Sequence, residues 1–399
     1  MKKFLLLLLA ITGSITFTNA QWSQTNGPFG TTINNLATNG TNVFAATNGK
    51  GLFLSSDNGT TWTGVNNGLT DTLVTSVITT GTSVFAGTNG KGIFLSTDNG
   101  TTWTAVNTGL TGFGIYVNTF VVSGNNIFAG TEGGVFLSTN NGSSWTVVNN
   151  GLPVTIVNTL AAVGTTIFAG TSNSGIYSSI DNGTTWTEVN TGLTNRTVNS
   201  LAVSETKIFA ATNSFVYIST NNGSTWTALN NGFAGVSAYS ITVSGTSIIS
   251  GTNAGLFLST NDGVNWTDVS KGLPLNNTFV YSLTVSGTNI FAGTNGSAVW
   301  KRSISDVLAV KNIAAVTNDF DIYPNPATNQ LTFHASSSTN WNKAAVTVTN
   351  VLGETVLTST FSFGENRGEA IDISKLNSGV YFLEMKSESG VIVKRFVKE

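Results

Sequence analysis

The 399-residue sequence contains no cysteine and one histidine, His334. The first absence excludes disulfides, thiolate metal sites and cysteine nucleophiles, so stability must come from packing alone. Charge is scarce too: Asp, Glu, Lys and Arg make up only 9% of residues, with a formal net charge of −2. That leaves no basic field for nucleic acid, and abundant Thr, Asn, Ser and Gly must keep the surface wet. Long apolar runs are missing beyond the first twenty residues, so no segment reaches the ~18 residues of a membrane-spanning helix. Asp-Asn-Gly turns are frequent, yet they lack the further carboxylates of a calcium loop. No metal and no cofactor are expected.

The start of the chain is a basic Met1-Lys2-Lys3, a largely apolar run from Phe4 to Phe17, and a small residue, Ala20, before Gln21. This order predicts a cleaved secretory signal peptide over 1–20. With no cysteine after it, a lipid-modified N-terminus is not expected.

The remainder is organised by an eight-residue box, Ser96-Thr97-Asp98-Asn99-Gly100-Thr101-Thr102-Trp103, which also occurs at 55–62, 138–145, 179–186, 219–226 and 259–266. Successive box tryptophans, Trp62, Trp103, Trp145, Trp186, Trp226 and Trp266, are 40 to 42 residues apart. A period near forty with strand-like flanks predicts a β-propeller with one four-stranded blade per repeat. Each box predicts a hairpin turn, with a side-chain acceptor for nearby N–H groups and a glycine for positive φ. The third box position is Asp57, Asp98 and Asp181 in three copies and Asn140, Asn221 and Asn261 in the others. Asn keeps the accepting oxygen and lacks the acid, so the role is structural.

These boxes resemble the Asp-box (BNR) repeat of sialidases, certain xyloglucan hydrolases, sortilin-type receptors and a photosystem assembly factor. The resemblance implies the fold and leaves function open, since those families do unrelated things.

In the second repeat the strands are expected at Val74–Thr79, Ser83–Thr88, Gly92–Ser96 and Trp103–Asn107. The second-strand motif, Val43-Phe44-Ala45 in its first copy and Ile290-Phe291-Ala292 in its last, recurs seven times. Trp22 stands forty residues before Trp62 and supplies the seventh box-tryptophan position. The N-terminal strand is therefore expected to complete the last blade and close a seven-bladed ring over 21–302.

Ser303 to Asn318 reads as a linker, and 319–399 as a small antiparallel β-sandwich of seven short strands. Tyr323-Pro324-Asn325-Pro326, Val351-Leu352-Gly353-Glu354, Leu376-Asn377-Ser378-Gly379-Val380-Tyr381 and Lys394-Arg395-Phe396-Val397-Lys398 resemble, in order, the type A C-terminal sorting domain of type IX secretion cargo. The resemblance implies an address read by the outer-membrane export machinery and removed by a sortase-like peptidase, with attachment to surface lipopolysaccharide. The protein is then expected at the outer cell surface or released. His334 is expected to be an ordinary surface residue.

Residues repeated in every blade are scaffold, and the Asn-x-Gly-Leu turns belong there. Departures from the repeat are better site candidates. On the face formed by the inter-blade connections they are Asp71, Phe113, Tyr116, Arg196, Tyr239, Asn277, Phe279 and Tyr281. The second-strand turns add Lys50, Lys91 and Glu132. Aromatics beside amides suit a sugar ring or a protein partner; against this, Tyr239, Tyr281 and Val198 are read as one repeat position, which makes the tyrosines packing residues. Sialidase chemistry fails for want of three arginines, since 21–304 contains only Arg196 and Arg302. A two-carboxylate glycosidase of xyloglucanase type would have to use Asp71 and Glu132. The leading expectation is a monomeric, non-catalytic protein that recognises a glycan or an extracellular protein. A hydrolase, and an assembly factor like the photosystem relative, are the alternatives.

Overall fold

A computed structural model describes residues 21–233, 236–245, 247–274, 278–296, 298–308, 320–335, 344–350, 354–361, 368–387 and 390–399. The expected signal peptide, Asn277, the 309–318 part of the linker and Val351-Leu352-Gly353 lie outside them. The chain divides into two compact units, Met1–Ala309 and Val310–Glu399.

The first unit holds seven antiparallel four-stranded sheets. The second sheet consists of Val74–Thr80, Ser83–Thr88, Ile93–Ser96 and Thr104–Ala105, paired in that order. Its outer strand is shorter than the expected Trp103–Asn107. Asn107 is diverted by its side chain, whose Oδ1 accepts the Ile93 N–H at 2.7 Å. The first strands of neighbouring sheets touch one another around the ring, Val280–Ser286 against Ile33–Asn39 included. The sheets are therefore blades about a common axis, with the first strand of each innermost.

Sequence pattern explains the layering. In each second strand five successive residues are buried, as in Val84–Thr88, because a blade is covered on both faces by its neighbours. Hydrophobic clusters accordingly bridge blades. Phe44, Ala46 and Leu52 of the first blade pack with Val77, Val84 and Phe94 of the second and with Trp103. The box tryptophan is wedged between sheets, and its indole N–H satisfies a carbonyl of the preceding blade: Trp103 to Val65, Trp145 to Val106, Trp186 to Val148 and Trp226 to Val189, all at 2.7–2.9 Å.

Trp22 repeats this contact across the chain ends. Its indole donates to the Val269 carbonyl at 2.8 Å, and Ser23–Gln24 pairs with Val299–Ser303 as the fourth strand of the last blade. The ring is closed by one strand from the N-terminal end and three from Val280–Ser303.

The linker expected from Ser303 starts too early. Ser303 ends a strand, and Ile304–Leu308 forms a short helix with Val307 buried. The buried Arg302 guanidinium ties that helix down through the Asp306 carbonyl at 3.0 Å.

The second unit has seven strands in two antiparallel sheets. One runs Phe320–Tyr323, Gln330–Ala335, Gly368–Asp372; the other Thr355–Phe361, Ala344–Asn350, Gly379–Ser387, Gly390–Lys398. Leu331, Val346, Val348, Ile371, Leu383 and Phe396 are among its core. Asn325 clamps the last strand: its Oδ1 accepts the Val397 N–H at 2.9 Å and its amide donates to the Arg395 carbonyl at 3.3 Å.

Candidate functional site

The boxes are turns held from within. In the first, Asp57 Oδ1 accepts the Ser55 hydroxyl and the Thr61 N–H, both at 2.8 Å, while Oδ2 accepts the Thr61 hydroxyl at 2.6 Å. The Thr61, Thr102 and Thr185 hydroxyls, then their backbone N–H groups and a box serine, lower the Asp57, Asp98 and Asp181 carboxyls to about 2. Where Asn replaces Asp, the direction of one bond reverses: Asn140 Nδ2 donates to Ser144 Oγ at 2.8 Å, and Asn221 Nδ2 to Thr225 Oγ1 at 2.9 Å. Asn261 keeps the accepting oxygen, taking the Asn265 N–H at 3.0 Å. The next residue is Asn or Asp with φ of 53–58° throughout, a left-handed conformation those side chains tolerate.

The opposite face carries the other candidates. Second-strand turns are bonded to the inter-blade connections, as in Gly49 N–H to the Thr72 carbonyl at 3.0 Å, Gly90 N–H to the Ile115 carbonyl at 3.2 Å and Glu132 N–H to the Tyr116 carbonyl at 3.0 Å. Lys50, Lys91 and Glu132 thus share this face with the inter-blade connections.

The innermost strands supply its central feature. All seven have a register shift at their second residue, a bulge that aims this side chain at the next blade. In blade 1 Asn34 donates to the Val74 carbonyl at 2.8 Å, and Asn118, Asn158 and Asn199 likewise reach Val157, Val198 and Ala238 at 2.8–3.2 Å. Thr75 reaches the Val117 carbonyl. In blades 6 and 7 the same position holds Tyr239 and Tyr281. Read from sequence, these tyrosines share one repeat position with Val198, and the register corrects this: Val198 pairs with Thr212 as Ala238 pairs with Thr252, so their counterpart is Asn199.

The ring of amide and hydroxyl donors is therefore interrupted by two aromatics in adjacent blades. Their rings lie 5.1 Å apart, with Phe279 at 6.0 and 6.2 Å from each. All three are half-buried. Burial, then Tyr239, raises the Tyr281 phenol above its ordinary value, so it stays a hydroxyl donor at neutral pH.

Other candidates are dispersed. Phe113 and Tyr116 form a second aromatic pair at 6.1 Å on the blade 2 to 3 connection, with Phe113 65% exposed. Arg196 is engaged in an ion pair with Glu188 at 2.6 Å, both half-exposed. The Asn190 amide and then Arg196 lower the Glu188 carboxyl, which makes the pair a local clasp. Asp71 Oδ1 accepts the Leu73 N–H at 3.0 Å, a bond within its own turn.

Comparison with known proteins now bears on this geometry. Residues 78–196 and 169–303, together more than half of the chain, match the DUF6242 beta propeller domain. The chain belongs to this family. Behind its DUF6242 propeller, residues 321–399 match the secretion system C-terminal sorting domain. The protein is exported by type IX secretion to the cell surface or beyond, and no helix among the described residues is long and apolar enough to cross a membrane.

Solved structures similar to it are propellers of several kinds. YCF48 from Cyanidioschyzon merolae aligns with a TM-score of 0.58 at 12% identity, over 72% of this chain and 99% of that one. PorZ, a surface component of the type IX secretion system of Porphyromonas gingivalis, aligns at 0.56 and 14%, over 91% of this chain and 59% of its own. A GH74 xyloglucanase from Xanthomonas campestris aligns at 0.58 and 11%, over 94% and 75%. At such identities the likeness is one of fold. A comparison with curated protein sequences finds no match.

Sequence reasoning named the three aromatics of the DUF6242 propeller without seeing what they replace. Asn at the second position of four inner strands was the available signal. Phe29, exposed beside Lys50, went unnoticed because it occupies the plug position of the repeat, where Leu69 stands forty residues later and is buried.

Proposed function

We propose that this protein is a non-catalytic recognition protein of the outer cell surface, binding a glycan through the inter-blade face. The observation that carries the reading is the Tyr239, Phe279 and Tyr281 cluster, whose two tyrosines stand where five other blades place a structural donor. A repeat fold spends identical residues on its scaffold, so a local aromatic departure on a shared face marks a surface kept for contact. Half-buried rings with phenol hydroxyls stack on an apolar sugar face while bonding its hydroxyls. The only outer edge each blade presents is a strand of two or three residues, which supports a monomer.

Hydrolysis is the second reading, favoured by the fold it shares with the xyloglucanase. Asp71 and Glu132 are the carboxylates available on this face, and Asp71 is already bonded to its own turn.

The test is a polysaccharide array probed with the full chain and with Tyr239→Ala and Tyr281→Ala. Binding of at least one glycan, weakened about tenfold by either substitution, is expected, equivalent to one stacking contact. Glycan binding unaffected by both variants contradicts the site, and silence across the array contradicts the glycan reading.

A further inference from the structure

The junction between blades 7 and 1 differs from the others, and the difference opens a pocket. Elsewhere the connection leaving a blade ends in an apolar plug: Leu69, Leu152, Leu193, Phe233 and Leu273 are buried, and Leu110 is half-buried against the cluster of Trp145. A capping Asn fixes these turns in blades 1 to 4, where Asn66, Asn107, Asn149 and Asn190 accept the first N–H of the third strand at 2.7 Å. Each such Asn lies on a glycine, Gly51, Gly92, Gly134 or Gly175, where any Cβ would overlap it.

Blade 7 has Ala298 at that glycine position, with φ of 77°. Its Cβ is incompatible with an overlying Asn. The equivalent Asn26 is turned away, donating to the Thr60 carbonyl at 3.1 Å. The plug at this junction is not seated: Phe29, which stands where Leu69 does, is 51% exposed. Trp62 is the half-buried member of the box set, its indole donating to Thr25 Oγ1 at 3.1 Å.

What remains is a pocket of about 310 Å³ lined by Asn26, Pro28, Phe29, Lys50, Phe53 and Trp62. Three aromatic side chains supply apolar walls. Lys50 supplies the charge, its ammonium donating to the Phe29 carbonyl at 2.7 Å and retaining further N–H donors. No acidic side chain lines the pocket. The volume is at the small end of small-molecule sites, ~300–1,000 Å³, which favours a ring-sized ligand over a protein surface.

We propose that this junction pocket is a second binding site, distinct from the Tyr239 cluster, for a carboxylate-bearing sugar ring. The ring's apolar face lies against the aromatic walls, its carboxylate pairs with Lys50, and the Asn26 side chain is placed at its hydroxyls.

Calorimetry of the full chain with trigalacturonate, and with the same trisaccharide methyl-esterified, tests this. The acid is expected to bind. Esterification and Lys50→Met are each expected to weaken binding about tenfold, the scale of a charge-assisted contact. Raising the salt concentration should weaken only the acid. Phe29→Ala, an exposed substitution that leaves the fold intact, should weaken acid and ester alike, and Tyr239→Ala should change neither. Absence of binding by the acid overturns the proposal, as does equal binding of acid and ester that Lys50→Met leaves untouched.

Discussion

Each box aspartate is a carboxylate spent on its own turn, and this gives the protein a readable acid response. Asp57, Asp98 and Asp181 are held at about 2 against an ordinary 3.8 by hydroxyl and backbone donors. A carboxyl depressed by folding contributes stability that is complete above pH ~4 and is lost as pH falls through about 2. The variant carrying Asp57→Asn, Asp98→Asn and Asp181→Asn should therefore unfold in denaturant with a flatter pH dependence between 4 and 2 than the parent. Equal slopes would show that the boxes do not titrate. Because Asn140 and Asn221 hold the same turn with an amide, the structural role was legible from the substitution pattern alone. The tryptophan after the box is a larger contribution: Trp186, buried with its indole on the Val148 carbonyl, should cost about 3–5 kcal/mol on Trp186→Ala in chemical denaturation. Lys50 illustrates the residue-scale limit. Its position on the inter-blade face followed from counting, but its pocket is completed by Asn26, Phe29 and Trp62, whose departures from their repeat counterparts only the structure shows.

At the scale of elements, the fold rests on one two-residue strand. Ser23–Gln24 joins the ends of the ring, and Trp22 caps it with the same indole bond as the interior repeats. Deleting 22–26 should expose the edge of Val299–Ser303, lower the thermal midpoint by more than 10 °C or abolish the transition, and open the first and last blades to protease; this scale follows from losing a buried Trp and an entire sheet edge. An unchanged midpoint would mean that closure contributes nothing. The spacing of Trp22 from Trp62 made this closure readable beforehand. Less readable was the outer strand, which in blades 1 to 4 is ended by the Asn107-type side chain rather than by strand propensity. The bulge at the second residue of every inner strand was also invisible. It adds a residue to one side of the pairing, so apolar character drew Val198 into line with Tyr239 when the counterpart is Asn199.

For the whole molecule, a propeller is followed in the chain by an export address. The sorting unit is stitched at its end, with Asn325 bonded to the last strand and the Ala327 N–H to the Val397 carbonyl at 2.8 Å. Removing 321–399 should leave the propeller inside the cell envelope, as read by immunoblot of surface and medium fractions; undiminished surface protein would contradict the role of that unit. Both units were legible as folds, one from its period and one from its ordered motifs. Ligand choice was not, because it depends on which repeat positions are broken and what then faces solvent. The activity proposed for the propeller is recognition without turnover. It is tested most directly by incubating the full chain with a polysaccharide that it retains and measuring the polysaccharide's chain length and reducing ends over time. The account predicts ligand recovered at its original length. Progressive shortening that disappears with Asp71→Asn or Glu132→Gln would contradict it and make those carboxylates an active site.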